Sequence, residues 1–261
     1  MPKLAANLSW IYQEVPFLQR FGAAAAHGFK AVEILFPYEA PAAEIAAELK
    51  KHKLTQALFN LPPGDASKGE RGLAALPGRE AEFTAAIDKA LDYAQALECR
   101  TLHVMSGMIA PGADVKAMHR TFISNLRKIC DRTAKMDITM VLEPINHRDI
   151  PGYFTNTTDQ VKAIIDEVGA PHLRLQLDLY HLQVTEGDLQ KRMERLFPIT
   201  AHVQIAGNPD RNEPDIGEVN HLYLLDVLDR LGYDGYVGLE YKPKTTTGAG
   251  LGWAAKYGIK A

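Results

Sequence analysis

Thr139-Met140-Val141-Leu142-Glu143-Pro144 is a short β-like run that ends in a carboxylate followed by a proline. The proline biases Glu143 toward an extended backbone and removes the next ladder donor, so the run reads as a strand that stops at the glutamate. The pattern recurs. Leu173-Arg-Leu-Gln-Leu-Asp178, Ala201-His-Val-Gln204 and Gly235-Tyr-Val-Gly-Leu-Glu240 each carry a carboxylate or an amide at or near the end of a β-like run. Parallel strands closed into a barrel bring such ends together at one mouth, which points to a proton-transfer site, with a divalent cation as its natural companion.

Working outward, strand-like and helix-like segments alternate along the chain. Leu4–Leu8, Ala31–Phe36, Leu54–Leu61 and Thr101–Gly107 supply four earlier β runs. Helical stretches are predicted from Val15 to Gly28, Pro41 to Lys53, about Arg79 to Glu98, about Ala113 to Met136, Thr157 to Val168, Gly187 to Phe197 and Leu222 to Leu231. Eight β runs alternating with helices call for a single (β/α)8 TIM barrel spanning residues 1–261, with a tail from about residue 243. An open doubly wound sheet would show phosphate-binding glycines after its first strand. Ser9-Trp10-Ile11-Tyr12 stands there instead, so no nucleotide cofactor is expected. The glycines of Thr247-Gly-Ala-Gly-Leu-Gly252 follow the last strand and read as a mobile or partner-contacting tail, compatible with a homo-oligomer. Pro62–Gly78 and Gly207–Asn220 are long connections after β runs, placed to cover the mouth as a lid.

Composition narrows the partners. With 261 residues, 46% hydrophobic, the chain can bury one large core. A net charge of −3 from interspersed acids and bases offers no basic surface for a phosphate backbone, so nucleic acid is not an expected partner. Cys99 and Cys130 are too few and too far apart for a disulfide framework or a sulfur cage. No run reaches the roughly 20 apolar residues that span a bilayer, and Met1–Asn7 has no sustained apolar core, so a cytoplasmic protein without membrane contact is expected.

By strand alternation Gln176 and Asp178 share the inward face of their strand, as do His202 with Gln204 and Gly238 with Glu240. Clustered carboxylates repel unless a cation or a shared proton compensates. Glu143, Asp178, Glu240 and the amide oxygen of Gln204 form an all-oxygen set suited to Mg²⁺ or Mn²⁺. His181, three residues past Asp178, is a candidate substrate contact or a hydrogen-bonded loop histidine. His103 is either a core histidine or a wall of the pocket. His27, His52, His119, His172 and His221 lack such neighbours and read as structural or solvated. For an anionic substrate a guanidinium is the fitting partner. Arg71, Arg79 and Arg211 lie in the two long connections, and Lys242 follows Glu240 by two residues.

Leu142-Glu-Pro-Ile-Asn-His147, Gln176-Leu-Asp-Leu-Tyr-His181, Ala201-His-Val-Gln-Ile-Ala206 and Gly238-Leu-Glu-Tyr-Lys-Pro243 resemble the hydroxypyruvate isomerase family of the xylose isomerase-like barrels. Ala6–Ser9, Phe36–Tyr38, Ala75–Arg79 and Gly217–Asn220 are similar to that family too, so the resemblance runs from the first strand to about Trp253. It implies that Glu143 and Glu240 are the proton donor and acceptor, and that these two with Asp178 and Gln204 hold the metal. Related sugar epimerases and isomerases carry histidine where Gln204 stands; an amide is the weaker donor. The activity implied is interconversion of hydroxypyruvate and 2-hydroxy-3-oxopropanoate through an enediolate. The alternatives are the same chemistry on a four-carbon 2-oxo-tetronate or a small ketose, a metal-dependent endonuclease, and a barrel that binds a sugar acid without turning it over.

Overall fold

Strand β1 (Lys3–Asn7) pairs in parallel with β2 (Ala31–Ile34) on one side and with β8 (Tyr236–Leu239) on the other, Ala5 standing opposite both Ala31 and Gly238. The first and last strands thereby close a seam. The computed structural model describes residues 1–261, and its remaining strands, β3 (Thr55–Asn60), β4 (Thr101–His103), β5 (Thr139–Leu142), β6 (Leu173–Asp178) and β7 (Thr200–Ile205), complete a closed barrel in sequence order. All eight pairings are parallel. The expected (β/α)8 barrel is the observed architecture.

The helices are α1 (Arg20–Ala26), α2 (Ala42–His52), α3 (Glu80–Ala96), α4 (Val115–Thr133), α5 (Thr158–Val168), α6 (Leu179–Thr185), α7 (Leu189–Leu196) and α8 (His221–Leu231). Local chemistry sets their starts. Asp114 accepts from Lys116 N and Ala117 N, Thr157 from Gln160 N, and Asn220 from Tyr223 N, each satisfying a backbone donor that the first turn leaves free. Apolar faces such as Met118, Phe122, Leu126 and Ile129 of α4 pack on the barrel in one continuous core. No helix is long and apolar enough to cross a membrane.

Three sequence expectations are corrected. The stretch from Val15 is not helical at its start: Pro16 precedes a 3-10 turn at Phe17–Gln19, and α1 begins at Arg20. A short helix, α6, follows β6 at once, because the Asp178 carboxylate caps it through Tyr180 N at 2.8 Å. The glycine-bearing tail is bound to its own barrel: Thr247 Oγ1 accepts from Tyr12 N at 2.7 Å and Thr247 N donates to Glu14 at 2.5 Å. Leu251, which caps a 3-10 helix over Gly252–Tyr257, and Ala254 within it are fully buried.

Candidate active site

The end of β5 delivers Glu143, β6 Asp178, β7 Gln204 and β8 Glu240, all buried at the C-terminal mouth. The inward parity expected for β6 and β7 is seen in the contact of Gln176 Nε2 with Gln204 Oε1 at 2.6 Å. A cavity of about 370 Å³ opens above them, lined by Glu143, Glu240, His103, His181, Asn60, Arg71 and Arg211, with Trp10, Phe36, Met105, Ile145 and Ile150 among its apolar walls. A larger depression of about 510 Å³ lies at the opposite end of the barrel beside Arg100 and Lys135, away from the carboxylates.

Burial holds the acids away from their ordinary ionisation. Desolvation raises Glu143 well above the usual carboxylate range, and the charges of Glu240 and Asp178 add to it. Glu240 is pushed up to about 8 by burial despite the opposing Arg211 guanidinium. Asp178 is raised by burial too, against the pull of Arg211 and of the Tyr180 amide. Arg211 is their counter-ion. Its Nη2 donates to Glu240 Oε1 at 2.5 Å and to Asp178 Oδ2 at 3.4 Å, and its guanidinium lies 4.5 Å from the Trp10 ring and 4.7 Å from the Tyr180 ring. Burial works against that charge, yet Glu240, Asp178 and Glu143 together hold Arg211 above its ordinary value.

Burial lowers the pKa of two of the histidines at the mouth, His103 and His181. Burial pulls His103 down to about 3, and its Nδ1 lies 3.3 Å from Asn60 Oδ1 and 3.7 Å from Glu143 Oε2. Burial also carries His181 well below its ordinary value, with Arg211 adding to the effect. Its tautomer follows from its neighbour. Asn146 Oδ1 accepts from Asp149 N at 2.8 Å, so Asn146 Nδ2 is the atom 2.6 Å from His181 Nδ1 and donates to it. The ring proton then sits on Nε2, which points toward Asp178 Oδ2 at 3.6 Å and Glu143 Oε1 at 3.9 Å. His181 offers the cavity an N–H donor.

For a cation, Glu143, Asp178 and His181 bring ligand atoms within 4.8 Å of one another, and Glu143 Oε1 is buried without a hydrogen-bond partner. Two converging carboxylates, one with an unpartnered oxygen, with the Glu240 carboxylate beside Asp178 across the Arg211 guanidinium, fit a hard divalent ion. In the tautomer above, His181 presents a proton rather than a lone pair. Gln204 differs from the sequence expectation in orientation: its oxygen turns to Gln176, and its Nε2 donates to Glu240 Oε2 at 2.7 Å and Glu33 Oε2 at 2.9 Å. Two carboxylates select the amide hydrogens over the amide oxygen, so Gln204 braces Glu240 here.

Of the cationic candidates, Arg71 and Arg211 line the cavity; Arg79 and Lys242 do not. Arg79 is bound by Glu70 and Glu82, and Lys242 is exposed beside a separate groove with Trp10 and Glu14. Sequence reading missed Glu33, fully buried on β2, which takes hydrogen bonds from Asn7 Nδ2 at 3.1 Å, from Gln204 and from His202 Nε2. The signal was there: Glu33 is the one charge inside the apolar run Ala31–Phe36. Gly238 belongs to the same arrangement, since a Cβ there would lie 2.2 Å from Glu33 Oε1. Glu33→Gln puts an amide NH2 either against His202 Nε2 or against the two donors Asn7 Nδ2 and Gln204 Nε2. We expect a stability loss of about 1–3 kcal/mol in urea unfolding, with kcat reduced about tenfold. An unchanged unfolding midpoint would show that the network carries no stability.

A closed parallel barrel that gathers buried acids, held above the usual carboxylate range, around a small cavity at its mouth has the build of a barrel enzyme for a small molecule. The sequence model of the xylose isomerase-like TIM barrel matches residues 21–257. The chain is 52% identical to the 2-oxo-tetronate isomerase of Cupriavidus necator, covering 98% of this chain and 99% of that one. It is 43% identical to the hydroxypyruvate isomerase of Escherichia coli, covering 98% and 100%. A solved structure titled as AP endonuclease, family 2, from Brucella melitensis superposes with a TM-score of 0.97 at 52% identity, covering 98% and 99%. The chain belongs to the xylose isomerase-like TIM barrel family.

Proposed function

We propose that this protein interconverts 3-hydroxy-2-oxo acids and 2-hydroxy-3-oxo acids through an enediolate, hydroxypyruvate and 2-hydroxy-3-oxopropanoate being the three-carbon pair. The observation that carries this is the pair Glu143 and Glu240. They stand on strands three places apart in a ring of eight, both buried, both with the neutral acid form favoured. With the pair sharing one proton, the ionised member accepts from carbon while the protonated member donates, and the roles exchange in the reverse direction. One glutamate removes the C3 proton next to the ketone, the other delivers a proton to C2, and the hydroxyl proton passes from O3 to O2. His181 Nε2–H donates to an oxygen of the substrate, and Arg211 holds Glu240 and Asp178 in place.

Glu143, Asp178 and Glu240 would hold a divalent cation, Mg²⁺ or Mn²⁺ by the hardness of the oxygen set. When bound it supplies positive charge where the enediolate develops negative charge. The relatives of both names fit one reaction, since a 2-oxo-tetronate differs from hydroxypyruvate by a hydroxymethyl group on C3. The 52% identity to a 2-oxo-tetronate isomerase favours the four-carbon acid as a second reading of the substrate. A nuclease is not favoured by the residues: the mouth is a cavity of about 370 Å³ walled by apolar side chains, on a chain of net charge −3.

The test is an NMR time course in D₂O with hydroxypyruvate and with 2-oxo-tetronate, each with and without chelator. Deuterium entering C2 of the product as the 2-hydroxy-3-oxo acid accumulates is the expected result. The larger kcat/KM identifies the substrate. Absence of turnover on both acids, with retention of duplex DNA at low salt, would replace this reading by the nuclease.

A further inference from the structure

Glu143 and Glu240 on the cavity wall and Asp178 beside them offer no positive charge, so a carboxylate taken out of water into this cavity needs a cation to receive it. Arg211 is already engaged, bonded to Glu240 and Asp178 and seated between Trp10 and Tyr180. His181 Nδ1 is taken by Asn146 Nδ2 at 2.6 Å and His103 Nδ1 by Asn60 Oδ1 at 3.3 Å. Arg71 is the other guanidinium on the cavity wall. Its hydrogen bond is to the Glu70 carbonyl at 2.9 Å, and no carboxylate lies within ion-pair distance of it. A charged fork on the cavity wall, with one donor on the Glu70 carbonyl and no carboxylate paired to the rest, is what a carboxylate ligand needs.

The backbone that carries Arg71 is fixed on both sides. Gly72 N donates to Pro63 O at 2.8 Å, Gly72 pairs with Ser106 as an isolated antiparallel bridge, and Ala75 N donates to Ser106 O at 2.8 Å. Gly72 has φ +112°, and a Cβ there would lie 2.3 Å from Met105 O, so the close approach requires glycine. Glu70 is clasped as well: its carboxylate accepts from Asp65 N at 2.6 Å and from Arg79 at 2.5 and 3.2 Å. Arg79 in turn holds Glu82 on α3.

We propose that Arg71 receives the substrate carboxylate and so makes the site selective for acids over neutral ketoses, with Arg79 a positioning residue that acts through Glu70. This rests on the isomerisation proposed above. A preorganised guanidinium gains affinity because little freedom is lost when the acid binds, and a bidentate pair fixes which end of the substrate meets the glutamates.

Dihydroxyacetone is the discriminating probe, as it keeps the hydroxyketone and replaces the carboxylate by a neutral hydroxymethyl group. Glycerate, which keeps the carboxylate but has no ketone, reports binding without turnover. In Arg71→Leu the ratio of kcat/KM for hydroxypyruvate over dihydroxyacetone should fall about 100-fold, and the glycerate Kd by calorimetry should rise at least about 30-fold. Arg71→Lys should recover part of both. Arg79→Ala should raise KM for the acid rather than lower kcat, with partial rescue by Arg79→Lys. Equal losses on both substrates, or undiminished glycerate binding in Arg71→Leu, overturn the assignment. So does wild-type protein that fails to bind glycerate at millimolar concentration. If the wild type binds glycerate but turns over neither substrate, the isomerase reading fails and the calorimetry alone still decides Arg71.

Discussion

Glu143→Gln and Glu240→Gln are each expected to lower kcat by about 10³-fold, because each removes one of the two groups that exchange a proton with carbon. An amide matches the carboxyl in shape but neither accepts nor donates the reacting proton. Glu143 Oε1 has no protein partner, so Glu143→Gln breaks no hydrogen bond to that oxygen, and its effect falls on proton transfer and on the cation that Glu143 would help to hold. Glu240 is bonded to Arg211 and Gln204, so Glu240→Gln disturbs more. The measurement is interconversion and C–H exchange followed by NMR in D₂O. If both variants keep more than about a tenth of wild-type exchange, the assignment of the glutamates is wrong.

The second large effect couples the cation to pH. A carboxyl whose folded-state pKa is raised contributes stability that is complete below its unfolded value and is lost as pH rises through its folded value. For Glu240 that interval runs from the usual 4.5 to about 8, and the upward shifts of Glu143 and Asp178 act in the same direction. Chelator-treated protein should therefore lose this part of its stability as pH rises, the Tm falling by several degrees. Added Mg²⁺ or Mn²⁺ should raise Tm more at pH 8 than at pH 5.5, since it binds the ionised acids. In the cation-free protein at pH 9, Glu240→Gln should raise Tm while abolishing activity, the trade expected where like charges are gathered for function. A lower Tm for that variant would contradict the upward shift of the Glu240 pKa. Loss of the cation response in Asp178→Asn would place the ion among these residues.

Much of this was legible because it is local. Strand runs, a helical stretch that stops at Gly28, and carboxylates at strand termini are each written within about five to ten residues of sequence. A parallel barrel then brings successive strand ends to one mouth without further information. What distant partners decide was not legible. The amide of Gln204 turns its nitrogen to Glu240 because Glu33, 171 residues away, lies beside it. Arg71 and Arg79 look alike in sequence, yet α3 and Glu70 take the second and leave the first to the cavity. Asp178 reads as a strand end, but its Oδ1 also starts α6. The tail after Thr247 looked free because its glycines are visible in sequence and its buried contacts with the loop after β1 are not.

The seam between β1 and β8 has a consequence for biosynthesis. Asn7 lies beside Glu240 across 233 positions of chain. During synthesis, β1 waits with an open edge until the last strand has left the ribosome, and only then do both glutamates share a wall. A nascent chain that stalls before residue 236 therefore presents two unpaired edges and no assembled mouth. Activity arises late and at once, while the hazard of edge-to-edge association falls on the unfinished chain.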